Sequence, residues 1–319
     1  MRSLVSGASG HLGSYLTRLL IARGEEVTIL VRPSSDLWRL DGVLDQVRVI
    51  RAPLEDLEPL ANELRGAVPD TVFHLAWSGV TADTRNHSDT LIDNVTGALR
   101  LFRIAREAGC GCWVGLGSQA EYGPQAAPLA EHLAPRPDTV YGVAKLSLGQ
   151  MLAALCGAAG MRFVWLRLLA AYGPKDDPRH LIPSVIETLL SGARPALTAG
   201  EQLWDYLYVE DAAEAIYRAA ATQAAEGMYN LASGHAETVR RMVERLRDMI
   251  DPELALGFGE IPYGPGGPMS IRADAGKLRN ATGWSAATDL ESGLRRTLEW
   301  HRSKSGKNEN IRLHCGNPV

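Results

Sequence analysis

A short apolar strand runs directly into Gly7-Ala-Ser-Gly10-His-Leu-Gly13, and an amphipathic pattern continues from there to Leu20. Three glycines at that spacing, between a strand and a helix, leave few folds open. Glycine lets the backbone turn tightly and approach a ligand closely, and the free N–H groups of a helix N-terminus stabilise phosphate charge. The strand–turn–helix context raises the pattern above a chance match. Strands expected at residues 4–6, 27–31, 47–50, 71–75, 112–116 (ending at Ser118) and 163–168 alternate with helical segments. That alternation predicts an α/β fold, a doubly wound parallel sheet covered on both faces. After Leu168 prolines and glycines become frequent, as in Gly173-Pro174, Pro178, Pro183 and the stretch 262–268. A smaller, irregular lobe is expected there, over the sheet edge where ligands of open α/β sheets bind. The expected division is a cofactor domain over 1–168 with 206–232 returning to it, a substrate lobe over 169–205 and 233–302, and a polar, loose tail over 303–319. Within it a closing amphipathic helix is expected at 290–300.

Composition excludes several classes. The 319 residues are 45% hydrophobic and 22% charged, ordinary for a globular chain. A net charge of −4 leaves no electrostatic footprint for nucleic acid. No apolar run reads as long enough to span a bilayer, and a strand starting at Arg2 leaves no room for a leader, so the cytoplasm is the expected compartment. Cys110 and Cys112 form a C-x-C, but Cys156 and Cys315 supply no second cluster, so no metal site is expected.

Tyr141 and Lys145 in Tyr-Gly-Val-Ala-Lys carry the chemistry. Four residues apart on a helix, they share one face. A free phenol, with a pKa of about 10, is a poor acid–base catalyst at neutral pH. A cation beside it favours the phenolate, so the pair reads as a proton donor for a carbonyl or an alcohol. Ser118, at the end of a strand, is placed to join them.

The end of the second strand bears on the choice of cofactor. An NAD site sets a carboxylate there for the ribose 2′-hydroxyl. This chain has Val31-Arg32-Pro-Ser-Ser35 and no acid before Asp36. Arg32 suits a 2′-phosphate, with Ser34 and Ser35 as further donors. NADP(H) is favoured over NAD.

Together these motifs resemble the extended short-chain dehydrogenase/reductases, the NAD-dependent epimerase/dehydratase group that acts largely on nucleotide sugars. The likeness runs from Arg2 to about Arg302. Gly7, Gly10 and Gly13 match the phosphate loop, and His74-Leu-Ala-Trp77 the stretch after the fourth strand. Asn94-Val-Thr-Gly97 matches a helix motif, and Ser118-Gln-Ala-Glu-Tyr-Gly123 the serine segment. Tyr141 and Lys145 match the catalytic pair, and Trp204-Asp-Tyr-Leu-Tyr-Val-Glu-Asp211 a later block. The resemblance implies a Rossmann-type sheet. It also implies that Ser118 bonds the substrate oxygen, Tyr141 moves a proton, and Lys145 holds the nicotinamide ribose and lowers the phenol pKa. Cofactor contacts are implied for Gly7, Ser9, Gly10, His11, Leu12, Gly13, Arg32, Ser35, Leu54, Leu75, Ala76, Trp77, Asn94, Tyr141 and Lys145. Substrate contacts are implied for Trp77, Ser118, Gln119, Ala120, Tyr141, Ala170, Arg179, His180 and Trp204. A homodimer through the helices near 87–108 and 140–155 is also implied.

Departures from the family pattern narrow the activity. Gln119 and Ala120 stand where 4,6-dehydratases carry Asp-Glu, so dehydration lacks its acid and base; Glu121, one place further on, reads as structural or peripheral. Ala120 also stands where bifunctional epimerase-reductases place a cysteine, although His180 resembles their histidine. Ala170 replaces the usual Asn, Trp204 the usual Arg, and Gly264 the late phosphate-binding Arg. Pro53 replaces an aspartate near the adenine, leaving Leu54 or Asp56 to serve there. The expectation is an NADPH-dependent reductase of the 4-keto group of a nucleotide-activated 4-keto-6-deoxyhexose. The rivals are a nucleotide-sugar 4-epimerase, a dihydroflavonol-reductase-like reductase of non-sugar ketones, and a non-catalytic NADP sensor. A sensor of that kind typically lacks the Tyr and Lys that this chain keeps.

Overall fold

The computed structural model describes residues 1–64, 66–81, 84–125, 127–264 and 269–314; Cys315, the end of the tail and part of the 262–268 stretch lie outside them. The chain begins β1 (Arg2–Ser6), α1 (His11–Ala22), β2 (Glu26–Val31), β3 (Val47–Arg51), α2 (Glu58–Leu64), β4 (Thr71–His74), α3 (Ser88–Ala108), β5 (Cys112–Ser118), α4 (Val140–Ala159) and β6 (Arg162–Leu168). It continues β7 (Ala170–Tyr172), α5 (Leu181–Leu190), β8 (Ala196–Leu197), β9 (Leu203–Tyr208), α6 (Val209–Ala221), β10 (Gly227–Leu231), β11 (Ala236–Thr238) and α7 (Val239–Ile250). It ends β12 (Gly257–Phe258), β13 (Ser270–Ile271), α8 (Gly276–Thr282) and α9 (Leu290–His314).

Seven strands form one sheet in the order β10-β6-β5-β4-β1-β2-β3, and every pairing in it is parallel. The order reverses at β1, which lies between β2 and β4, and a crevice opens there at the carboxyl ends of the strands. Such strands are buried on both faces, so they read as continuous apolar runs. One face packs Leu12, Leu16 and Leu20 of α1 and Ile216 of α6 against Val5, Ile29 and Val114. The other packs Leu101 and Phe102 of α3 and Leu148 and Leu152 of α4 against Leu4, Val72 and Trp113. β10 reaches the sheet edge only after the chain has left it and returned, and it pairs with β6 from Gly227 opposite Val164 to Leu231 opposite Leu168.

The lobe has more regular structure than its prolines and glycines suggested. β11, β9 and β13 form a small sheet that β7 joins through β9, and β8 pairs with β12. These strands are short, from two residues in β8 to six in β9, so no run of alternation announces most of them. α5 and α7 cover the small sheet with Ile182, Val185, Met242 and Val243.

Two expectations change. The closing helix was expected to stop at Trp300 before a loose tail, but α9 continues to His314; no proline interrupts that run. α4 is 20 residues long with a mean hydropathy of 1.3, so by length and apolarity alone it could cross a bilayer. It lies instead against the sheet, with Leu148, Leu152 and Cys156 in the core.

Leu16 is fully buried between β1 and α6. Leu16→Ala is therefore expected to lower unfolding stability by about 2–5 kcal/mol, measured by chemical denaturation.

Candidate active site

The site starts at the turn after β1. Gly7 has φ +80, and a methyl group on it would overlap the main chain of Leu75 and Ala76, which leave β4 alongside. A methyl on Gly13 would run into the Gly7 carbonyl. The two close approaches draw the N-terminus of α1 up to the crevice, and the N–H groups of a helix start suit a phosphate.

A pocket opens at this crevice. Of the expected cofactor contacts, Gly7, Ser9, Gly10, Arg32, Ser35, Leu54, Leu75, Ala76, Trp77 and Asn94 line it. His11, Leu12 and Gly13 do not. Leu12 is buried in the core and Gly13 serves the turn. His11 points away, with Nδ1 3.2 Å from Asp176 Oδ1 and Nε2 3.1 Å from the Pro174 carbonyl. Tyr141 and Lys145 stand outside this lining as well; both contact Trp77, which belongs to it. Of the two residues expected to replace the adenine-side aspartate, Leu54 lines the pocket and Asp56 does not; Asp56 accepts the Glu58 N–H at the start of α2. Asn94 lines the pocket and braces it: Oδ1 accepts the Ser78 N–H at 2.8 Å and Nδ2 donates to the Ser78 carbonyl at 2.9 Å. The carboxylates that line the pocket, Glu55 and Asp93, come from the loop after β3 and from α3. Sequence reading missed both because neither belongs to a motif. Asp36, the first acid after β2, is instead occupied by the Trp38 N–H.

The expected reacting groups come together on the other side of Trp77. Thr139 caps α4 by accepting the Gly142 N–H, which starts the helix just ahead of Tyr141. The Tyr141 ring meets the Trp77 ring edge to face, with centroids 5.9 Å apart. Lys145 is buried; its amine donates to the Leu116 carbonyl at 2.9 Å and stands 3.7 Å from the Trp77 ring centre. Ser118 ends β5, close enough to Tyr141 for its side chain to favour the phenolate.

The electrostatics differ from the expectation. Burial raises the Tyr141 phenol above its ordinary value and Glu121 adds to this; the Ser118 hydrogen bond and the charge of Arg85 only partly offset it. Burial also lowers the Lys145 amine to about 7, against the opposing pull of Glu121. The expected depression of the phenol by Lys145 does not set its direction, because both groups are desolvated and desolvation disfavours each charged form. His74, beneath the site, is pushed to about 3 by burial and by Lys145, so it is neutral and bonds Ser6 Oγ at 2.7 Å.

The expected substrate contacts are spread over two elements and the lobe. Gln119 and Ala120 lie in a short turn after β5, and Ala170 starts β7. Trp204 packs on Tyr206, with ring centroids 6.1 Å apart. The Arg179 guanidinium pairs with Asp177 at 2.7 Å. His180 Nδ1 lies 3.0 Å from Asp176 Oδ1, so Asp176 joins two histidines from opposite sides of the crevice. Burial opposes ionisation of Asp176, but hydrogen bonds from His11 and His180 outweigh it and hold the carboxyl well below its usual range.

Comparisons with known proteins agree with this geometry. The model of the NAD dependent epimerase/dehydratase family matches residues 3–232. A UDP-glucose 4-epimerase of Corynebacterium glutamicum is 28% identical over 92% of this chain and 93% of its own length. A dTDP-glucose 4,6-dehydratase of Salmonella typhimurium is 25% identical over 98% of this chain and 96% of its own. The solved UDP-N-acetylglucosamine 4-epimerase of Methanobrevibacter ruminantium, in complex with UDP-N-acetylmuramic acid, superposes with a TM-score of 0.87 at 26% identity, covering 95% of this chain and 98% of that one.

The hydrogen bond to Asp176 raises His180 above its ordinary value of 6.5. Its stabilisation is therefore complete below that ordinary value and disappears as pH rises through the raised folded one. Melting temperatures of the parent protein and of H180Q, compared from about pH 5 to about pH 9, should differ most at the acid end and converge at the alkaline end.

Proposed function

The chain belongs to the NAD dependent epimerase/dehydratase family, and within it we propose an NADPH-dependent reductase of the 4-keto group of a nucleotide-activated 4-keto-6-deoxyhexose. The observation that carries this reading is the pocket wall at the end of β2. Arg32 and Ser35 line it, and the first acid of that loop, Asp36, does not. A guanidinium there matches a 2′-phosphate, and Arg51 steadies the loop by donating to the Pro33 carbonyl at 3.0 Å.

When bound, the cofactor supplies the hydride. Ser118 holds the substrate carbonyl oxygen by its hydroxyl, and Tyr141 gives that oxygen a proton as it becomes an alcohol. A phenol raised by burial is protonated at neutral pH, which suits a donor in the reducing direction. Lys145 holds the nicotinamide ribose. The turn after β5 offers Gln119 and Ala120, so it supplies no acid–base pair for removing water.

The relatives favour a second reading, a redox-neutral 4-epimerase that keeps its cofactor through the cycle, since UDP-sugar 4-epimerases match along nearly the whole chain. For either enzyme we propose a homodimer through α3 and α4, which pack together and expose Ile92, Val140, Val143, Met151 and Leu155. A cytoplasmic location goes with both readings.

Cofactor content after denaturation separates the two readings. Protein that purifies empty and consumes NADPH with a dTDP-linked 4-keto-6-deoxyhexose supports the reductase; stoichiometric bound NAD, with interconversion of UDP-sugars and no net consumption, supports the epimerase. In the reductase, R32A should weaken NADPH binding roughly tenfold to a hundredfold and leave NADH binding unchanged. Y141F should lower kcat by about 10²–10⁴-fold.

A further inference from the structure

Glu121 is completely buried, three residues beyond Ser118, and a carboxylate in such a place needs partners. Oε1 accepts the Ser118 N–H at 2.9 Å and the Trp165 indole N–H at 2.9 Å. Oε2 accepts the Arg167 guanidinium at 2.8 Å, and Arg167 is itself 2% exposed. Ser118 Oγ in return accepts the Ala120 N–H at 3.2 Å. Serine and glutamate thus cap the turn reciprocally, with the carboxylate tied to the neighbouring strand.

The surrounding architecture is built for this arrangement. β5 and β6 pair so that Gly117 lies opposite Arg167 and Ser118 opposite Leu168. A methyl group on Gly117 would overlap the Trp165 indole nitrogen and the Glu121 carboxylate. The Arg167 guanidinium covers the Tyr122 ring at 4.5 Å, and the Tyr122 hydroxyl donates to Asn230 Oδ1 at 2.7 Å. Asn230 Nδ2 donates to the carbonyls of Leu129 and Asp274. A buried polar chain therefore runs from the serine main chain, through the ion pair, to β10 and the lobe.

We propose that Glu121, held by Arg167, is a positioning residue for Ser118: its buried carboxylate fixes the serine main chain, and through it the hydroxyl, beside Tyr141. The inference rests on the reading of Ser118 and Tyr141 as the reacting pair. Glu121 also supplies the negative charge that acts on the phenol, faced by Arg85 from the turn before α3 and by Lys145 one helical turn away on α4. A residue that served only to fill the core would act on the phenol through its charge alone, equally with and without the Ser118 hydroxyl.

The phenolate absorbance of the parent protein minus that of Y141F titrates Tyr141 alone and needs no substrate. In S118A, where only charge is lost, E121Q should lower the pH at which the phenol titrates; with Ser118 present, loss of its bond opposes that fall, so the E121Q shift should be smaller. With NADPH and a dTDP-linked 4-keto-6-deoxyhexose, kcat should fall roughly tenfold to a hundredfold, while KM and NADPH affinity stay within about twofold. Gln at 121 leaves Arg167 buried without a counter-charge. E121Q/R167M therefore repeats the test in a chain that carries neither charge, and the same fall in kcat is expected. An equal shift with and without the Ser118 hydroxyl, with Y141F inactive, overturns this inference alone. A rise in KM and cofactor dissociation with kcat intact does the same. Full turnover by Y141F overturns the reading of the reacting pair and the inference with it.

Discussion

A parallel sheet covered on both faces leaves only its ends open to ligands. That constraint governs everything else in this protein. The strand order reverses at β1, so the loops after β1, β2 and β4 separate and leave a crevice at their carboxyl ends. The glycine turn, Arg32, the 75–78 segment and Ser118 all belong to that edge because each follows a strand of the one sheet. Their proximity is a consequence of topology, and the helices need only cover the faces.

The same burial sets the chemistry. Tyr141 and Lys145 lie where water is largely excluded, and desolvation moves the phenol up and the amine down. Each becomes neutral more readily, so the pair is poised by its surroundings as much as by its spacing. Trp77 takes part from the wall of the pocket by offering its ring face to the amine and an edge-to-face contact to the Tyr141 ring. Beneath them the Glu121–Arg167 pair brings two opposite charges into the core. Removing one partner of such a pair is strongly destabilising, while the intact pair adds little net stability. Its presence behind a serine at the substrate edge is better understood as a device for geometry than for stability.

Crossing the crevice, Asp176 joins His11 of the glycine loop to His180 of the lobe. Pro174 accepts both His11 Nε2 and the Tyr15 hydroxyl, and Arg39 donates to the Lys175 carbonyl. The cofactor loop and the lobe are thereby clamped along one edge, so the two halves of the site keep a fixed relation.

How much of this was legible depended on distance along the chain. Residues within one helical turn or one tight turn obey local rules, so Gly7-x-x-Gly10-x-x-Gly13 and the Tyr141–Lys145 spacing announced a tight turn and a helix carrying both side chains. Long buried strands announced themselves through apolar runs for the same reason. The lobe did not, because strands as short as β8 and β13 are stabilised by their neighbours rather than by a pattern of their own. His11 reads as one more residue of the cofactor loop until Asp176, 165 positions later, turns its ring aside. Glu121 reads as structural or peripheral until β6 places Arg167 and Trp165 against it. The sequence by itself determined the sheet and the glycine turn and singled out Ser118, Tyr141 and Lys145 as candidates, since those follow from local geometry and the pattern of burial. Only the tertiary structure decided which charges are paired, which groups are desolvated and how the serine is held, because those depend on side chains that meet across the fold.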